Sequence, residues 1–161
     1  MKVRGSLLGL AMLVAGPIYA QTPRPASSIA ASGDTVVTAN FPNAKVVASI
    51  RTARLDGSCA SECPASRTWT TWGAKRVTVV KKLSLSVNGH PVPVPLSVYA
   101  ALFQPGDASL ADGHGHFTLR IRGGDGSEAY FVVLTFTAHA LDQLRVYGQE
   151  APAQPTQVTT F

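Results

Sequence analysis

Leu83-Ser84-Leu85-Ser86-Val87-Asn88-Gly89-His90-Pro91-Val92-Pro93-Val94-Pro95 is the stretch on which the fold turns. Leu83, Leu85 and Val87 alternate with Ser84 and Ser86, the period-two pattern of a strand with one buried and one wet face. Asn88-Gly89 then supplies two residues that tolerate positive φ, as a type I′ hairpin turn requires. In the return segment Pro91, Pro93 and Pro95 fall at every second position, so one side of that backbone cannot donate to a ladder. It is expected at a sheet edge, or extended without pairing.

Upstream, the strand candidate extends back to Arg76, and Thr35 to Ala39 and Lys45 to Ala53 are rich in Val, Ile and Thr, with Asn40-Phe41-Pro42-Asn43 as a turn between them. Arg67 to Trp72 is a further strand candidate. Downstream, Pro95 opens a predicted helix over about 96–103, in which Leu96, Tyr99, Leu102 and Phe103 recur at helical spacing before Pro105-Gly106 ends it. Phe117 to Arg122 alternates strictly, Gly123 to Ser127 turns the chain, and Tyr130 to Phe136 is apolar on both faces. Such a strand is expected at the centre of a sheet, with a second sheet or the helix covering its other side. Leu144 to Tyr147 completes a count of about eight strands. The expected fold is mostly β: an antiparallel β-sandwich or partly closed barrel of about eight strands with one short helix.

Around this body, 36–150, the ends read differently. Residues 1–20 read as a signal peptide: Lys2 and Arg4 form a positive start, Leu7 to Ala15 an apolar core, and Pro17-Ile18-Tyr19-Ala20 a cleavage region, with the cut after Ala20. That apolar run is about half the roughly 20 residues that span a bilayer, so no membrane insertion is expected after cleavage. Residues 21–35, with Pro23 and Pro25, read as a flexible N-terminal segment, and 151–161 as a C-terminal tail or edge strand. The implied destination is the periplasm or the exterior. Cys59 and Cys63 are the only two cysteines, and outside the cytosol they are expected to form a disulfide that pins one loop; a soft-metal or redox pair is the functional alternative.

Composition excludes some functions. With 14% charged and 45% hydrophobic residues the chain is neither disordered nor a basic arm. Its net charge of +5 falls to +3 once Lys2 and Arg4 leave with the leader, too little for a nucleic-acid partner. No Gly-x-Ser-x-Gly elbow, His-Glu-x-x-His, Walker loop or Rossmann glycine pattern is present.

Four groups carry the chemistry that remains. Arg120 and Arg122 stand two apart on an alternating strand, so both guanidinium groups leave the same face, a clamp for an anionic or acidic partner; pairing would add some of Arg51, Arg54, Lys75, Arg76, Lys81 and Lys82. Trp69 and Trp72 follow the cysteine loop and offer a stacking or recognition surface. His114 and His116, with Asp112 as a third ligand, would favour copper or zinc. Gly123 to Glu128 lacks the ligand spacing of a calcium loop and reads as a long hairpin turn. The leading expectation is a non-enzymatic exported β-domain, an accessory or inhibitor-type protein, whose partner is a protein or an anionic envelope component, with no cofactor. A periplasmic metal-binding protein using His114 and His116 is the second reading, and a small envelope-acting hydrolase the third.

Overall fold

The computed structural model describes residues 25–56, 76–113 and 115–161. Its strands, in chain order, are β1 (Ser27–Ser28), β2 (Gly33–Phe41), β3 (Ala44–Asp56), β4 (Arg76–Val87), β5 (His90–Val92), β6 (Pro105–Asp112), β7 (Phe117–Gly123), β8 (Tyr130–Phe136), β9 (Leu141–Gly148) and β10 (Gln157–Thr160), with a single helical turn α1 (Leu96–Tyr99). They form a six-stranded sheet ordered β1-β6-β7-β8-β9-β10 and a four-stranded sheet ordered β2-β3-β4-β5, and every pairing is antiparallel. The inward side chains of both sheets, among them Val46, Ile50 and Leu85 from one and Leu110, Leu119, Ile121, Leu134 and Phe136 from the other, make one buried core. The molecule is the expected β-sandwich.

The Asn88-Gly89 hairpin closes as read, with φ of 52° and 82° and Val87 opposite His90. Asn88 also reaches across to β3: its Oδ1 accepts the Lys45 N–H at 2.8 Å, and its own N–H donates to the Lys45 carbonyl at 2.8 Å. β5 is the proline-bearing edge of its sheet, as expected. Between β3 and β4 the register slips at Arg51/Thr52, so that Lys81 is the extra residue of a bulge and both Lys81 and Lys82 are exposed.

Three elements depart from the sequence reading. The helix over 96–103 shrinks to four residues, and Leu96 is 64% exposed instead of buried. The chain leaves it to pair with β4: Leu102 O accepts from Val80 N–H, Gln104 N–H donates to Thr78 O, and Phe103 bridges Val79. Gln104, with φ of 44°, makes the sharp bend before Pro105. Second, Pro105–Asp112, of which the sequence reading assigns only Pro105-Gly106, as the end of the helix, is a strand whose Ala108 and Leu110 face the core. Third, within the segment read as flexible, Ser27 and Ser28 pair with Ala108 and Asp107, Ile29 is buried, and β2 already begins at Gly33. The C-terminal stretch takes the edge-strand option as β10.

Candidate functional site

The sheet registers determine what each outward side chain meets. On the outer face of the six-stranded sheet, one cross-strand row runs Asp107, Arg122, Phe131, Tyr147, and the next runs Ser109, Arg120, Val133, Arg145, Val158. β8 lies inside the sheet, as its apolar character requires, and Tyr130, Val132, Leu134 and Phe136 fill the core. Its other side departs from expectation. No second layer among the described residues lies over Phe131, Val133 and Thr135, which remain half-buried under their own neighbours.

Those neighbours are ordered. The Phe131 and Tyr147 rings stack with centroids 4.4 Å apart and planes 9° from parallel, and the guanidinium carbon of Arg120 sits 4.2 Å from the Phe131 centroid. Arg120, Phe131 and Tyr147 therefore form one continuous stack in which the cation rests on the electron-rich ring face. Arg120 is exposed on this face, and a guanidinium receives a carboxylate through its forked N–H groups.

The two arginines read as a clamp share a face, but they do different things. Arg122 is committed to Asp107: Nε lies 2.9 and 3.0 Å from the two carboxylate oxygens, and a terminal nitrogen lies 2.8 Å from Oδ2. Hydrogen bonding to Asp107 holds the Arg122 guanidinium more firmly charged than usual. Arg120 meets no carboxylate among the described residues, and neither does Arg145, one strand beyond Val133. Counting two strand spacings, the Arg120 and Arg145 backbones are about 10 Å apart. Sequence spacing along β7 could not find Arg145, because it arrives through the register of β8 with β9.

Arg51, Arg54, Arg76, Lys81 and Lys82 stand on strands of the four-stranded sheet, not on this one. Arg51 and Lys82 lie opposite each other on the outer face of the four-stranded sheet, on the far side of the sandwich. There Arg51 makes a two-pronged bond to Asp34, at 2.8 and 2.9 Å, which lowers the Asp34 pKa from its ordinary value and raises that of Arg51. Lys75, Cys59, Cys63, Trp69, Trp72 and the strand read over 67–72 lie outside the described residues.

At one end of the sandwich, the turn between β6 and β7 is closed by Gly113 N–H donating to His116 O at 2.8 Å. Asp112 falls on the inward parity of β6, beside Leu110, and its Oδ1 is buried with no hydrogen-bond partner. His116 is exposed, and its Nδ1 lies 2.9 Å from Asp142 Oδ2 at the start of β9. Asp112 thus lies on the inward parity of β6 while His116 contacts Asp142, and the described residues include no group of three or more His, Cys, Asp or Glu placed to hold a metal. His114 lies outside the described residues. Gly123 to Glu128 is the turn joining β7 to β8, with a short 3-10 turn at Gly126–Glu128.

Comparison with known protein families, with curated proteins and with solved structures finds no match for this chain. The residues of the outer face are therefore the ground for a functional reading.

Proposed function

We propose that this chain is a small exported, non-enzymatic binding domain that recognises an acidic partner with the outer face of its six-stranded sheet. The observation that carries the reading is the Arg120–Phe131–Tyr147 stack. It holds an exposed cation on a sheet scaffold, and Arg145 stands on the same row with Val133 between. The two central rows present three arginines and one aspartate, so the face has an excess of positive charge after Asp107 has neutralised Arg122. Arginine and aromatic side chains beside apolar contacts are the composition enriched at protein-binding surfaces. Export rests on the leader-like residues 1–20.

The test is an affinity capture from cell-envelope extract with the wild type, an Arg120→Ala/Arg145→Ala variant, and an Arg51→Ala/Lys82→Ala variant on the opposite sheet. The first variant is expected to lose an acidic partner that the second retains. Identical partners at identical yield from all three would overturn the reading.

A further inference from the structure

The second row of the outer face is a pattern in itself. From β6 to β10 it reads Ser109, Arg120, Val133, Arg145, Val158, each residue opposite the next across one strand spacing. Over the last four positions cation and apolar side chain alternate: Arg120 and Arg145 are exposed, Val133 is half-buried and Val158 is 51% exposed. The row on one side, Ala111, Thr118, Thr135, Gln143 and Thr160, is uncharged, and in the row on the other side the single carboxylate, Asp107, is engaged by Arg122. Two cations therefore stand on this row about 10 Å apart at the backbone, with an apolar contact midway.

The spacing selects the backbone that can match such a row. Neighbouring strands lie about 4.8 Å apart, so Arg120, Val133, Arg145 and Val158 fall at about 0, 4.8, 9.6 and 14.4 Å. An extended partner returns a side chain to one face every second residue, about 6.7 Å, and overshoots Val158 by about 6 Å. A polyproline II partner returns one every third residue, about 9.3 Å, so it reaches both arginines and puts nothing on Val133. In an α-helix, residues i, i+3, i+7 and i+10 rise by about 0, 4.5, 10.5 and 15 Å, within about 1 Å of the row at each position. At about 100° per residue they also turn around the helix axis by about −27° per step, which has the hand and nearly the size of the twist between neighbouring strands, about −20 to −25°. A helix with its side chains is about 10 Å across. It therefore also spans the Phe131 ring in the adjoining row, where the Arg120 guanidinium carbon stands 4.2 Å from the centroid.

We infer, on the basis of the acidic-partner reading of this face, that its occupant is an acidic amphipathic helix lying across the strands of the six-stranded sheet. Carboxylates at i and i+7 meet Arg120 and Arg145, and apolar side chains at i+3 and i+10 meet Val133 and Val158. A helix running the other way, from β10 to β7, meets the same row with apolar residues at i and i+7 and acids at i+3 and i+10. Each carboxylate takes a forked guanidinium, and the apolar contacts keep water from the pairs, which contribute little when fully exposed. A dense polyanion is the poorer fit, because it sets charge against Val133 and Val158, where nothing pairs it.

Calorimetry of the purified protein with synthetic alanine-based helical peptides is the experiment. One peptide carries glutamate at i and i+7 and leucine at i+3 and i+10, and a second exchanges the two residue types for the opposite direction. Two controls start from the better binder: one moves each glutamate two positions along, onto the far face of the helix, and the other places a proline midway to break it. The better matched peptide should bind at least about tenfold more tightly than either control. It should lose that margin with Arg120→Ala/Arg145→Ala and with Val158→Asp, but not with Arg51→Ala/Lys82→Ala. Acidic peptides that bind alike whatever their spacing or helicity, and only when Arg120 and Arg145 are present, would overturn the helix and leave the acidic-partner reading standing. Polyglutamate binding more tightly than the matched helix, or no peptide binding up to about 1 mM, would also overturn it, and the envelope capture then decides the acidic-partner reading by itself.

Discussion

The hydroxyl of Tyr130, at the start of β8, donates to the backbone carbonyl of Phe103 at 2.7 Å inside the core, and the two rings lie 5.4 Å apart. This bond ties the segment that leaves α1 to the centre of the opposite sheet. Burial pushes the Tyr130 phenol well above its ordinary value. The folded state then holds its proton through a range in which the unfolded chain, with a pKa near 10, has released it. Below that pH the contribution is fully present. As pH rises through and beyond about 10, stability falls by up to about 1.4 kcal/mol per pH unit. Denaturant titrations from pH 8 to 11 should show this alkaline decline in the wild type and a flatter one in Tyr130→Phe. At pH 7 the variant should be less stable by about 1–2 kcal/mol, through the lost hydrogen bond.

Gly123 is required by the same contact. A Cβ built there would stand 2.5 Å from the Tyr130 hydroxyl oxygen, 2.7 Å from its ring carbon and 2.9 Å from the Gln104 carbonyl oxygen. The last is backbone and has little room to yield, so Gly123→Ala should cost about 1–3 kcal/mol by overpacking. Thermal denaturation of Gly123→Ala alone and combined with Tyr130→Phe checks the cause. Removing the hydroxyl should restore part of the loss but not all of it, since the ring carbon and the carbonyl remain.

The Asn88-Gly89 turn was legible because its requirement is local: two adjacent residues with positive φ between alternating apolar runs. β6 was not, because Pro105-Gly106-Asp107 has the composition of a turn and only Ala108 and Leu110 mark an inward face. Its strand character comes from β7 on one side and β1 on the other. The helix reading over 96–103 failed for a related reason: apolar residues at 96, 99, 102 and 103 fit a helical stripe, but pairing of Leu102 and Gln104 with β4 takes the second half of it. The site divides in the same way. That Arg120 and Arg122 share a face follows from their spacing. That Asp107 neutralises one of them, and that Arg145 joins the other, depends on cross-strand registers with β6 and β9 that no local pattern encodes.

The division of labour between those arginines is measurable. Arg122→Ala removes a surface ion pair of a kind that contributes about 0–1 kcal/mol, and it should leave partner affinity nearly intact. Arg120→Ala removes the cation from the Phe131 ring, about 0.5–1 kcal/mol at an exposed site, together with its forked N–H donors. It should reduce partner affinity at least tenfold, as should Arg145→Ala. The salt dependence of binding should also be flatter in either variant, because one charge contact is gone. Titration calorimetry against the captured partner at two ionic strengths reads both effects. Equal losses from Arg120→Ala and Arg122→Ala would mean that the Asp107 pair opens on binding.

Asp112 is the residue whose replacement should help the fold. It occupies an inward position at the end of β6, opposite Phe117 in the register, and Phe117 packs against Phe41 and Phe136, with ring centroids 5.8 Å apart in each pair. One of its carboxylate oxygens is buried there without a donor. An unpaired buried acceptor costs about 1–3 kcal/mol, and more when it carries charge, whereas an apolar side chain at the same place has no such penalty and extends the aromatic cluster. Asp112→Leu should therefore raise Tm, with a gain of about 1 kcal/mol or more by denaturant titration. Asp112→Asn should gain less, because its side chain still buries a polar group. If both substitutions destabilise the protein, the free carboxylate oxygen supports the fold in some way other than by packing, and the turn at Gly113 to His116 that it precedes is where the loss should appear, as faster amide exchange at Gly113.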